Sequence, residues 1–186
     1  MGKKLSEMSL KELWQLFPIF LKEHQLCWKE WYLEEEGFLK NTFLQVERIN
    51  HVGSTAINSI WAKPIIDILV EVPKGSDLIF YKSLIENNGY ICMSQSADRI
   101  SFNKGYTEDG FAERVFHLHL RYYGDNDELY FRDYLNEHSD VTSEYQKMKL
   151  KLWREYEYNR DGYTNAKTEF VKKYTEKARM LYGNRY

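Results

Sequence analysis

The sequence predicts an α/β protein of the α+β kind: one mixed β-sheet flanked by helices, with further helices added at the N-terminal and C-terminal ends. Three observations predict it. Residues 65–72 form a nearly unbroken apolar run rich in isoleucine and valine, the pattern of an inner strand covered on both faces. Residues 114–121 alternate strictly, placing Phe116, Leu118 and Leu120 on one face and His117 and His119 on the other. From Asp127 onward, apolar residues recur at helical spacing almost to the end.

The remaining elements follow in order. Ser9 and Glu12 form a capping box that opens a helix through Leu10, Leu13, Trp14, Phe17 and Leu21, with Pro18 as the point where it kinks or splits. A second amphipathic run carries Trp28, Trp31, Tyr32 and Phe38; Glu34, Glu35 and Glu36 are expected to face solvent and Gly37 to loosen the chain. Residues 44–52 read as a strand, residues 55–61 leave room for a turn or two of helix, and Pro64 enforces extended backbone ahead of the 65–72 strand. Ser76 is the expected cap of a helix through Leu78, Tyr81 and Ile85 that stops at Asn87-Asn88-Gly89. Strands at 90–93 and 99–102, with turns at 94–98 and 103–105, lead to the alternating strand. Three helices close the chain, marked by Leu129, Phe131 and Tyr134, then Val141, Tyr145 and Leu152, then Tyr163, Phe170 and Tyr174.

Composition bounds the function. At 186 residues and 43% hydrophobic the chain suits one core, so a single domain over 1–186 is expected. A net charge of -2 supplies no basic field, which argues against nucleic acid as a partner. Cys27 and Cys92 stand alone, without disulfide or zinc spacing, and fit a reducing cytoplasm. No apolar run approaches the roughly 18 residues of a membrane span, so no membrane partner is expected. Met1-Gly2-Lys3-Lys4-Leu5-Ser6 matches the bare myristoylation pattern, which an ordinary frayed start explains more simply.

The chemistry concentrates in His51-Val52-Gly53-Ser54-Thr55-Ala56 and the run from Lys63 to Val72. Small residues let backbone N–H groups approach an anion closely, and a lone Asp67 inside an apolar strand calls for a purpose. Neutral imidazoles of His117 and His119, with Asp67 or His51 from a neighbouring strand, make a mixed nitrogen and oxygen shell for a transition metal; protonated, the same pair binds phosphate, and the plain alternative is two half-exposed strand histidines. Lys63, Arg114, Arg132 with Asp133, and Lys167 with Tyr163 are the groups to place near an anion. Their structural alternatives are Arg132 and Asp133 tying helix ends to the sheet, and Lys167 as a solvated helix residue.

The run from His51 to Val72, the Phe116-His117-Leu118-His119-Leu120 strand, the Leu129-Tyr130-Phe131-Arg132-Asp133-Tyr134-Leu135 helix and the stretch Tyr163 to Phe170 together resemble the GrpB family, an uncharacterised family placed in the nucleotidyltransferase superfamily, over nearly the whole chain. The resemblance implies a nucleotidyltransferase-like fold. In that superfamily a Gly-Ser pair precedes two carboxylates at i and i+2 on one strand, roughly 7 Å apart, which share metal ions with a triphosphate. Gly53, Ser54 and Asp67 match; Leu69 stands where the second carboxylate belongs, and Glu71 lies roughly 13 Å from Asp67 along the strand.

The expectation is therefore a protein that binds a nucleotide or another phosphate-bearing small molecule. Gly53, Ser54, Lys63 and Arg132 would hold phosphate; Asp67, His117 and His119 would hold a divalent ion, magnesium, manganese or a transition metal; Asp67 would be the catalytic group if nucleotidyl transfer occurs. GrpB-like domains also occur joined to other enzymes, including dephospho-coenzyme A kinases, which implies the alternative: a non-catalytic accessory module with a protein partner.

Overall fold

A computed structural model of the chain describes residues 3–43 and 45–186. Met1 and Gly2 of the acylation pattern, and Leu44 at the start of the first expected strand, lie outside the described residues.

Five strands form one sheet in the order β1-β2-β5-β4-β3, where β1 is Arg48–Val52, β2 Ile65–Val72, β3 Ile91–Gln95, β4 Arg99–Thr107 and β5 Gly110–Tyr122. β2 and β5 are parallel and the other neighbouring pairs antiparallel, so the sheet is mixed. The parallel pair requires a long crossover, supplied by α3 (Leu78–Glu86) and the β3–β4 excursion.

The two faces differ sharply. On one, Ile66, Ile68, Val70, Phe116, Leu118 and Leu120 pack against Trp28 and Tyr32 of α2 (Cys27–Thr42) and against Leu78, Tyr81 and Ile85 of α3. Fully burying each such side chain contributes about 1.5–3 kcal/mol. The other face carries polar residues, broken only by Val52 and Leu69, in register across β1, β2, β5 and β4: Val52, Asp67, His117, Asn103; then Asn50, Leu69, His119, Ser101; then Arg48, Glu71, Arg121, Arg99. The C-terminal helices α4 (Asp127–Glu137), α5 (Ser139–Tyr156) and α7 (Thr168–Tyr182) form a second core around Ile57, Ile60, Tyr134, Tyr145 and Tyr174, while Tyr163 of α6 (Arg160–Asn165) packs with Ile19 and Leu152. Leu129 of α4 packs on Val52 and Leu69 of the sheet.

Several local expectations are corrected. The capping box at Ser9 and Glu12 forms, but α1 is Leu10–Leu16, ending at Phe17 because Pro18 lacks the N–H that would continue it. Leu21 lies beyond it, beside the Lys22–Ala62 bridge. Helix α2 runs unbroken through Gly37, and Glu35 turns inward, accepting hydrogen bonds from the Tyr90 hydroxyl at 2.9 Å and Lys104 Nζ at 2.8 Å. Asp77 rather than Ser76 caps α3, its carboxylate accepting from the N–H groups of Ile79 and Phe80. Residues 55–61 contain one 3-10 turn, Ser54–Ala56.

Asn103-Lys104-Gly105 is not a turn. The strand continues through it with a register shift between Lys104 and Tyr106, and Gly105, at φ +89°, lies where a Cβ would strike the Arg114 carbonyl. The last expected helix is two, α6 and α7, meeting at Ala166 and Lys167.

Candidate functional site

Where β1 ends and β2 begins, the chain turns through Gly53 at φ +69° and ψ -169°, backbone that favours glycine. A Cβ there would also lie 2.8 Å from Asp67 Cγ and 2.9 Å from its Cβ, so the bare Cα makes room for the Asp67 carboxylate. Ser54 follows at the first position of the 3-10 turn and lines the same cavity as Tyr145.

Asp67 is flanked in register by His117 on the parallel neighbour β5. Its Oδ1 lies 3.3 Å from His117 Nδ1 and 3.6 Å from His119 Nε2. Burial alone would raise the Asp67 carboxyl; the hydrogen bonds from both histidines overcome it and hold the group well below the usual carboxylate range. Burial pushes His117 down, against the pull of Asp67, which keeps the ring neutral near pH 7. An ionised carboxylate only accepts, so Nδ1 carries the proton, and Nε2 accepts from the Tyr106 hydroxyl at 2.9 Å. The result is a chain of polar contacts from Asp67 through His117 to Tyr106, with the charge of Arg160 close by.

A cavity of about 720 Å³ opens over this row, within the size range of small-molecule sites. Gly53, Ser54, Asp67 and His117 form its floor, and the entry to β2 and helices α4, α5, α6 and α7 supply the rest of the lining. Lys63, Lys149, Arg160 and Lys167 all line it. Burial, with the repulsion of Lys167 and Arg160, lowers Lys63 to about 7. Burial lowers Lys167 to about 8, Asp67 partly restoring it. Burial and the same lysine neighbours push Lys149 well below its ordinary value, and its Nζ donates to the Trp61 carbonyl at 2.6 Å. Lys63 and Lys167 stand over the Tyr163 ring at 5.5 and 4.3 Å from its centroid.

The structure brings Gly53, Ser54, Lys63, Asp67 and His117 to one cavity. His119 borders Asp67 but is not in the lining, and its Nδ1 lies 3.5 Å from Ser101 Oγ. Arg132 is placed elsewhere: its guanidinium donates to the His51 carbonyl at 2.9 Å, to Tyr186 Oη at 3.1 Å and to Asp133 at 2.7 Å, tying α4 to β1 and the chain end. Arg114 pairs with Glu34 and covers Trp31. His51 pairs with Ile68, so it points to the opposite face, stacked on Tyr32 and bonded to Thr55 Oγ1 at 2.9 Å.

The expected metal shell meets an obstacle. Both histidines aim a nitrogen at the same Asp67 oxygen rather than at a common vacant point, and among the described residues no group of three His, Cys, Asp or Glu side chains is arranged to hold a metal ion. Sequence reasoning missed Lys149, Arg160 and Tyr145. Lys149 lies in an amphipathic helix stripe where lysine ordinarily meets water, and only the packing of α5 on residues 61–63 turns it inward.

The family described as GrpB protein matches residues 18–177. The chain belongs to the GrpB family. It is similar to the glutamate-rich protein GrpB of Alkalihalophilus pseudofirmus, 35% identical over 159 residues covering 82% of this chain and 91% of that one. The crystal structure of GrpB from Enterococcus faecalis superposes at TM-score 0.76, with 28% identity over 88% of this chain and 99% of that one. The sheet, the helical cover and the terminal helices are thus features of a GrpB fold. A looser likeness, TM-score 0.46 at 17% identity over 79% of this chain and 47% of the other, is to the Cid1 poly(U) polymerase. GrpB relatives also vary in length: this chain spans 45% of YqkA from Bacillus subtilis, to which it is 31% identical.

Proposed function

We propose that this GrpB protein binds a phosphate-bearing small molecule, a nucleotide or nucleotide-like cofactor, in the cavity above Asp67. The observation that carries the reading is the convergence of Lys63, Lys149, Arg160 and Lys167, from four separate segments, on a cavity whose floor holds one carboxylate. An ammonium group buried as that of Lys149 is, or half-buried as those of Lys63 and Lys167 are, is costly unless something compensates it, and a bound anion does so. Gly53 and Ser54 lie at the turn that the sequence resemblance assigns to phosphate. Of the other lining charges, Arg179 pairs with Asp127 and Glu128 with Arg121, and Lys172 and Glu176 carry opposite signs, so the net positive charge lies with the inner cations.

Binding without transfer is favoured over nucleotidyl transfer, because Leu69 is buried against Leu129 where a second carboxylate would act. Among the described residues no helix is long and apolar enough to cross a membrane. A cytoplasmic setting, where nucleotides are abundant, suits the reading and the two free thiols.

Calorimetric titration with a panel of nucleoside triphosphates and inorganic tripolyphosphate, with and without magnesium or manganese, tests it. Wild-type protein is expected to bind at least one of them, and Lys167→Met to lose about tenfold or more in affinity, the worth of one charged hydrogen bond. Absence of binding to every phosphate compound defeats the proposal.

A further inference from the structure

We infer that the phosphate chain is held without a divalent cation, its charge met by Lys63, Lys149, Lys167 and Arg160, with the Tyr163 hydroxyl as an added donor. The inference rests on the phosphate reading above and concerns how the charge is met.

Magnesium sites in nucleotide chemistry use carboxylates in near-octahedral geometry, and two-ion sites need at least two carboxylates to bridge the metals. Here Asp67 is the one carboxylate that the sheet brings to the cavity; Asp127 and Glu128 of α4 and Glu176 of α7 line it from the helical side, the first two paired with Arg179 and Arg121. The Asp67 Oδ1 is engaged by His117 and His119, and the Gly53 Cα leaves no room for a further group beside its carboxylate. Two residues on, Leu69 is fully buried among Val52, Leu129 and Tyr186. Four residues on, Glu71 is committed as well: Oε1 accepts from the Gly124 N–H at 2.8 Å and Asn126 Nδ2 at 3.1 Å, and Oε2 faces Arg48 at 3.5 Å. The residues in register with Asp67 on β5 and β4 are His117 and Asn103, so the neighbouring strands add no carboxylate.

The same cavity carries what a polyphosphate needs instead. Six cationic side chains line it, Lys63, Lys149, Arg160, Lys167, Lys172 and Arg179, against four carboxylates, Asp67, Asp127, Glu128 and Glu176. With Arg179 paired to Asp127 and Glu128 to Arg121, the excess of positive charge lies with the inner lysines and Arg160, and two or three linked phosphates match it better than one. A divalent cation placed among these groups would meet repulsion at short range. Tyr163, 1% exposed in a cavity-lining helix, has a buried hydroxyl with no partner in the protein. A buried hydroxyl is ordinarily satisfied, and this one sits on the ring that Lys63 and Lys167 flank. The second cavity, about 450 Å³ and lined by Phe20, Trp28, Trp31 and Phe111, adjoins the first through Lys63 and Ile65 but brings no cluster of acidic side chains to it.

Titration calorimetry of the full chain with ATP and with inorganic tripolyphosphate, once in EDTA and once in excess magnesium, decides the matter. Affinity in EDTA is expected to equal or exceed that in magnesium, by up to about tenfold, since magnesium masks the charge the lysines read. In EDTA, Lys149→Met is expected to weaken binding at least about tenfold and Tyr163→Phe about three- to tenfold, with melting temperatures confirming that both variants fold. Binding that appears only with magnesium overturns the inference while leaving the phosphate reading intact. Binding in neither buffer overturns both. Equal binding by Tyr163→Phe and wild type overturns the role of the hydroxyl.

Discussion

Gly53 and Asp67 occupy adjoining space so closely that residue 53 has no room for a side chain: a Cβ would fall 2.8 Å from Asp67 Cγ, at a backbone angle of φ +69°. The glycine therefore serves the carboxylate as much as any anion. Gly53→Ala combines a strained backbone with displacement of Asp67, and is expected to cost at least about 1–3 kcal/mol in stability. Denaturant unfolding measures it. An alanine variant as stable as wild type would show that the turn relaxes freely and that Asp67 is not held by it.

Leu69 tests how far the chain is from a two-carboxylate strand. The side chain is completely buried between Val52 of β1 and Leu129 of α4. Leu69→Ala is expected to destabilise by about 2–5 kcal/mol through the cavity it leaves. Leu69→Asp is expected to do worse, because a carboxylate there is buried with no partner. Urea midpoints for the two variants give the order. A stable Leu69→Asp protein that gained magnesium binding would mean that the position is a lost ligand site open to restoration.

The fold was largely legible because β2 and β5 are written in hydrophobic period alone. Ile65 to Val72 is apolar but for Asp67 and Glu71 and Val115 to Leu120 alternates, and those patterns mark a buried central pair. The hairpin was misread because Asn103-Lys104-Gly105 has turn composition, whereas the glycine serves a bulge inside β4, where Arg114 comes too close for a side chain. Half of the site was legible for the same reason: Asp67 and His117 interrupt apolar strands and so stand out. Lys149 and Arg160 do not, since a lysine or arginine on a helix carries no mark of which way it faces until helices pack. Arg132 shows the reverse error, a plausible anion ligand whose donors are used on His51, Asp133 and Tyr186.

Lys149 is expected to weaken the fold it belongs to. It is 1% exposed and its ammonium has one hydrogen-bond partner, the Trp61 carbonyl, while burial and two neighbouring lysines disfavour its charge. Lys149→Met keeps the length and apolar stem but removes that penalty. The variant is expected to melt about 2–4 °C higher for each kcal/mol recovered, as functional residues commonly trade stability for binding. Differential scanning calorimetry without phosphate reads the change. A lower melting temperature would mean that the bond to Trp61 outweighs the buried charge and that Lys149 is a structural residue.

The lysine pair gives two pH dependences of opposite sign. Lys63 and Lys167 sit at about 7 and about 8 in the folded chain, below the 10.5 of an ordinary lysine, burial being the largest cause for each. Asp67 favours their charged forms and Arg160 opposes them; Lys63 and Lys149 also carry the repulsion of Lys167. Between about pH 7 and 10 the unfolded chain holds more protons at these two positions than the folded one, so their contribution to stability rises with pH across that window. Phosphate binding, which needs the ammonium forms, is expected to weaken over the same window and to take up protons near pH 8. Unfolding of wild type against a Lys63→Met, Lys167→Met double variant, from pH 6 to 10, isolates the stability effect from other titrating groups. Calorimetry of tripolyphosphate binding in buffers of different ionisation enthalpy measures the proton uptake. A wild-type-minus-variant stability difference that stays flat over the window, or binding with no proton uptake at pH 8, would mean that both lysines remain fully charged in the free cavity.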